Sequence, residues 1–153
     1  MFWKILKIIL VFLCMASIFL FSNDDADASN LKSDGVVVHI AEFLAGHSLN
    51  KEQREEKIEK YVVYVRKTAH FSIYLLLGFL MISLIKEYRE LTWKELFLAF
   101  FLTFLYACSD EVHQLFVSGR SGNIIDVGID SMGAYFGVLF YYFYYRIRRK
   151  IHE

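Results

Sequence analysis

Proline is absent from this 153-residue sequence, so no pyrrolidine ring forces a helix to break. Cysteine is scarce. Cys14 and Cys108 each lie inside an apolar run, and no Cys-x-x-Cys pair exists. A disulfide framework is therefore not expected, and both read as small buried residues. Bulky Val11, Phe12 and Leu13 precede Cys14, which disfavours a lipoprotein cleavage site. Net charge is also missing, since 17 Lys and Arg balance 17 Asp and Glu. Total charge thus points to no partner, and no nucleic-acid partner is expected. Serine elbows, phosphatase-like signatures and nucleophilic cysteines are lacking. His70, His113, Asp110 and Asp126 carry donor atoms that suit a metal, but neither His-x-x-x-His nor His-Glu-x-x-His spacing occurs. No metal or other cofactor is expected.

Apolar residues are abundant. They make up 56% of the chain, and the mean hydropathy is +0.37, high for a soluble domain of this size. Four runs, at about 5–22, 68–86, 95–116 and 124–145, approach the roughly 20 residues that cross the hydrocarbon core. Backbone groups in lipid must be satisfied internally, so these runs are expected to be helices. The expectation is one all-α, multi-pass membrane domain over residues 1–153. It has four transmembrane helices and an outer segment at about 23–67. Lys4 and Lys7 with Ala26-Asp27-Ala28 imitate a signal peptide, but the acidic Asn23-Asp24-Asp25 and the long apolar run favour a retained span.

Charge distribution sets the orientation. Lys4 and Lys7 flank the first run, Lys86, Arg89 and Lys94 fall between the second and third, and Arg146, Arg148, Arg149 and Lys150 follow the fourth. Both termini are expected on the cytoplasmic side. The outer segment is not expected to be all coil; within it, Asn23–Asp34 is polar, with turn and cap residues. Val36, Val37, Ile40, Ala41, Phe43 and Leu44 suggest a short amphipathic helix at the membrane surface. Asn50 and Gln53 form a capping-box pattern. They open a charged helix over 51–61 that runs into the second span, with Glu56 and Lys60 spaced as an ion pair. Tyr141-Tyr142-Phe143-Tyr144-Tyr145 reads as an interfacial aromatic belt.

The polar residues of the spans converge. Arg66, Lys67 and His70 open the second span, Asp110, Glu111, His113 and Gln114 close the third, and Arg120, Asp126 and Asp130 follow. The predicted topology puts all of them at one depth, in the outer leaflet. Charges there are costly unless they face a cavity or the bundle interior. Arg66, His70 and Tyr74 recur every four residues, as do Asp126 and Asp130, while Asp110, His113 and Gln114 share a face. Gly133 and Gly137 have the small-xxx-small spacing that lets helices approach closely, within one chain or between two. Taken singly, each residue has a plain structural role. Together, two histidines, four acids and three cations exceed what helix locking needs. The inner halves are almost free of polar groups, so no continuous ion path is expected.

Two functions fit such a pocket. In the first, Arg66, Lys67 and Arg120, with Tyr74, Gln114, Asp126 and Asp130 around them, bind an anionic lipid or a polyprenyl-phosphate wall precursor. Amides of the helix start near Asn123 add donors. In the second, His70 or His113 acts as a general base, oriented by Asp110 or Glu111, on a lipid-linked substrate.

The motifs Arg66-Lys67-Thr68-Ala69-His70-Phe71-Ser72-Ile73-Tyr74, Asp110 through Gly122, and Asp126 through Gly137 resemble those of the VanZ-like family of small bacterial membrane proteins. Phe21-Ser22, Ser29 and Ser33 are similar to a looser family feature. The resemblance runs from the first span to the fourth. It departs at Ser118, where the family usually has proline before Gly-Arg. It implies a multi-pass protein of the bacterial cell membrane with an association to teicoplanin resistance. It implies no biochemical mechanism and no oligomeric state.

Overall fold

The computed structural model describes residues 1–120 and 122–152, without the His152 side chain; Ser121 of the second motif lies outside them. Five helices follow one another, and no strand occurs among the described residues. They are α1 (Phe2–Ser22), α2 (Ala26–Ala45), α3 (Lys51–Ile85), α4 (Trp93–Gln114) and α5 (Ile124–His152). All but α2 are long and apolar enough to cross a membrane.

Capping residues set the boundaries. Asn50 and Gln53 do form a reciprocal capping box at the start of α3, with Gln53 N–H donating to Asn50 Oδ1 at 2.9 Å and Asn50 N–H to Gln53 Oε1 at 3.1 Å. Thr92 and Glu95 repeat the device at α4. The polar stretch 23–34, read as turn and cap residues, is mostly helix. Asp25 accepts the Ala28 N–H at 2.8 Å and starts α2 at Ala26, well before the apolar cluster at Val36. That polar stretch turns out to be the helical face that meets the site. At its other end Gly46 takes a left-handed conformation (φ 73°) that stops α2, a geometry glycine adopts without strain. Glu42 ties the following elbow together, because its Oε1 accepts from Leu49 N–H at 3.0 Å and from Arg54 Nη2 at 2.8 Å. The spacing of Glu56 and Lys60 gives no such pair: Glu56 meets Lys57 at 3.6 Å, and Lys60 stands over the Tyr61 ring.

Helix α3 is the centre of the bundle and packs against each of the other four. Tyr74 and Leu77 of α3 meet Val11, Cys14 and Ile18 of α1 and Ala107 of α4. Further along, Ile82 meets Leu96 and Ala99 of α4 and Val138 and Tyr141 of α5. Tyr141 thus belongs to the core, which corrects its place in an aromatic belt. Gly133 and Gly137 pack within the chain. A Cβ at Gly133 would strike the Phe71 carbonyl, and one at Gly137 the Leu75 carbonyl, while Gly78 on the facing helix would strike Ala134. Three glycines thereby set α3 and α5 backbone to backbone. At the end away from α2, Lys7 pairs with Glu87 and also donates to the Ser83 carbonyl at 3.2 Å. The Lys7 ammonium holds the Glu87 carboxyl below its ordinary range.

Candidate functional site

The close approach of α3 and α5 brings their polar ends together. Lys67 Nζ lies 3.2 Å from Asp126 Oδ1. One turn deeper, His70 Nδ1 lies 3.4 Å from Asp130 Oδ1, without the alignment of a hydrogen bond. Asp130 is 1% exposed, and neither of its oxygens receives a hydrogen bond. Deeper still, the Tyr74 hydroxyl is buried without a partner, within electrostatic reach of Asp110 and Asp130.

Helix α4 supplies the opposite wall. Gln114 Nε2 donates to Ser22 Oγ of α1 at 3.3 Å and, more loosely, to Asp110 Oδ2 at 3.4 Å. Glu111 folds back on the turn and accepts the Asn123 N–H. Asn123 Oδ1 in turn caps Ile125 N–H at 3.0 Å. The start of α5 is therefore self-capped, and Asn123's own amide is not the free anion donor expected there.

Helix α2 forms the roof. Its first amide, Ala26 N–H, donates to the Ser118 carbonyl at 3.3 Å. Arg120 Nη2 donates to Ser29 Oγ at 2.8 Å, and Arg66 Nη2 donates to Asn30 Oδ1. Burial lowers the Arg120 guanidinium from its ordinary pKa and the nearby Arg66 cation adds to this, whereas Asp110, Asp24 and Glu111 act in the opposite sense. Two guanidiniums within each other's field favour an anion between them.

Two cavities meet under this roof. One, of about 290 Å³, has a mostly apolar surface from α1, α2 and α3, with the Asp24–Lys32 ion pair, Ser22 and Ser33 also lining it. The other, of about 210 Å³, is more polar and includes Lys67, Gln114, Asn123 and Asp126. Ser29, Arg66, His70 and Arg120 line both. Of the residues singled out in the sequence, Arg66, Lys67, His70, Tyr74, Gln114, Arg120 and Asp126 line one or both cavities. Asp110 and Asp130 sit buried behind them. His113 stands apart, stacked on Phe19 at 4.7 Å between ring centroids. Sequence reasoning did not find Asn30, the partner of Arg66, or the bond between Ser22 and Gln114. The signal for Asn30 was the Asp25 cap, which makes 26–34 a helix with Ser29, Asn30 and Ser33 on neighbouring turns. Among the described residues no group of acids, histidines and cysteines is arranged to hold a metal.

Neither the curated proteins nor the solved structures contain a match. The VanZ/LLP1 family model matches residues 7–145, which takes in most of α1, the roof, both cavities and most of α5. The chain belongs to the VanZ/LLP1 family and, with four helices fit to span a bilayer, is a multi-pass membrane protein of it.

Proposed function

We propose that this protein binds an anionic lipid, or a polyprenyl-phosphate-linked wall precursor, from the outer leaflet of a bacterial cell membrane. One observation carries the proposal: Arg66 and Arg120, from different elements, both line the two cavities beneath α2. Guanidinium forks suit phosphate because they offer parallel N–H donors and keep their charge when partly buried. The outward placement is supported by the opposite end. There Lys4 stands over Tyr88, Lys7 pairs with Glu87, Lys86 stands over Tyr145, and Arg146 and Arg148 stand over Tyr142 and Tyr144. That basic, aromatic end fits the cytoplasmic interface. Occupancy of the site by a precursor would alter what a glycopeptide meets at the surface, which links the pocket to teicoplanin resistance. Native mass spectrometry from mild detergent tests the proposal. The wild type should retain one anionic lipid class, and Arg120→Ala should lose it while still inserting. Equal retention by both would remove the arginine from the role.

A second reading, acid–base chemistry on the same ligand, is favoured by the place of His70. Its Nδ1 faces Asp130 while the ring lines both cavities, which leaves Nε2 for the ligand. Asp130 of α5, 3.4 Å from Nδ1, would take the orienting role expected of Asp110 or Glu111 once the two groups align to hydrogen-bond. Turnover of a lipid phosphate by purified protein, lost in His70→Ala and kept in His113→Ala, is what this reading requires.

A further inference from the structure

We infer that the apolar cavity seats one hydrocarbon chain, so that the ligand is a single-chain lipid phosphate whose tail leaves sideways between α1 and α3, beneath α2. This rests on the anion site proposed above and specifies its ligand. The two cavities share the wall formed by Ser29, Arg66, His70 and Arg120. A phosphate held by the arginines would therefore have the polar cavity on one side and the apolar one on the other. The apolar part of its wall is Ile18 and Phe21 of α1, Val36 of α2, and Val65, Ala69 and Ile73 of α3, and the mutually paired Asp24 and Lys32 line it as well.

The recess also opens in the right direction. Phe21 and Val36 on its rim are 57% and 47% exposed, and Ala69 is exposed as well. Since α1 and α3 are both fit to span a bilayer, the part of the opening between them lies toward acyl chains, and the Asp24–Lys32 pair marks its polar side. The volume of about 290 Å³ limits the occupant. If a methylene fills about as much space as one liquid water, roughly 30 Å³, the recess admits on the order of ten carbons, a stretch of one chain. A free phosphate would leave this apolar surface uncovered, and a two-chain lipid would leave its second chain outside.

The test separates tail from head. Protein in nanodiscs of zwitterionic lipid is titrated with methyl phosphate, dodecyl phosphate and farnesyl phosphate. Ala69→Trp and Val65→Trp fill the recess from its rim, and Arg120→Ala removes the anion site. The wild type should bind the long-chain phosphates at least about tenfold more tightly than methyl phosphate, as burial of several methylenes implies. Both tryptophan variants should lose that preference and keep methyl phosphate binding, and Arg120→Ala should weaken all three ligands. Preference for farnesyl over dodecyl phosphate would assign an isoprenoid source, and the reverse a straight-chain one. A chain preference that survives in both tryptophan variants reflects partition into the bilayer and overturns the inference. So does wild-type protein that binds all three phosphates equally, although the anion site would then stand. A changed oligomeric state in the tryptophan variants, with chain preference intact, would give the recess to a second copy. Failure of Arg120→Ala to weaken any ligand would defeat the anion site itself.

Discussion

Asp130 carries a carboxylate 1% exposed, 3.4 Å from an imidazole nitrogen, with no aligned hydrogen bond to either oxygen from the described residues. A buried acceptor left unsatisfied costs about 1–3 kcal/mol, and removing its charge relieves the largest part of that cost. Asp130→Asn is expected to raise the stability of the detergent-solubilised protein by about 1 kcal/mol, read as a higher thermal midpoint. A lower midpoint would instead show that the His70 pair holds the helices together. Stability gained by neutralising a buried carboxylate is the sign of a residue kept for the site at the expense of the fold. Most of this chemistry was legible in the sequence, because histidine, aspartate and arginine inside apolar runs are conspicuous. Their pairing was not legible. Spacing along one helix links Asp110 to His113, whereas the partner that reaches His70 comes from α5. His113 shares the helical face of Asp110, but its ring went to Phe19 of α1, a neighbour that no local pattern reveals.

Helices α3 and α5 form the unit that holds this chemistry at fixed distances. Their contact depends on Gly78, Gly133 and Gly137. Gly137→Leu is expected to destabilise the bundle by about 2–3 kcal/mol or more, since overpacking against backbone cannot be relieved by a rotamer change. Thermal unfolding in detergent would show it, and a variant that melts like the wild type would mean the helices separate more easily than their geometry suggests. Gly133 and Gly137 were legible as a close-packing pair; their partner helix was not, because spacing describes only one side of a contact. The elbow between α2 and α3 makes a separate prediction. The Leu49 amide, followed by Arg54, holds the Glu42 carboxyl below its ordinary range. A lowered pKa in the fold means stabilisation that is present at neutral pH and fades as pH falls through the lowered value. Hydrogen-exchange protection of the Leu49 amide, corrected for intrinsic rate, should fall severalfold on acidification, and at neutral pH in Glu42→Gln. Protection unchanged in both conditions would show that the elbow is held by something else.

The whole molecule has a basic, aromatic end and an end covered by α2. The four spans were legible because about 20 apolar residues in lipid have few alternatives to a helix. The length of α2 was not, since its first turns are polar and only the Asp25 cap discloses them. The proposed topology predicts that Ser48→Cys reacts with a membrane-impermeant maleimide in intact cells and that Glu90→Cys reacts only after permeabilisation. The opposite pattern would invert the orientation and place the pocket on the cytoplasmic leaflet. The hydrogen bonds that tie α2 to the bundle run from Arg66 to Asn30, from Arg120 to Ser29, and from the Ala26 amide to Ser118. Two of those three ties are the groups that would receive a phosphate. A ligand drawing both guanidiniums to itself would take them from Ser29 and Asn30, leaving α2 held by its elbow, a single amide, its packing on α3 and Lys32 over the Phe21 ring. The site would then work as a latch as well as a receptor, and a filled pocket would announce itself to the envelope by a loosened cover.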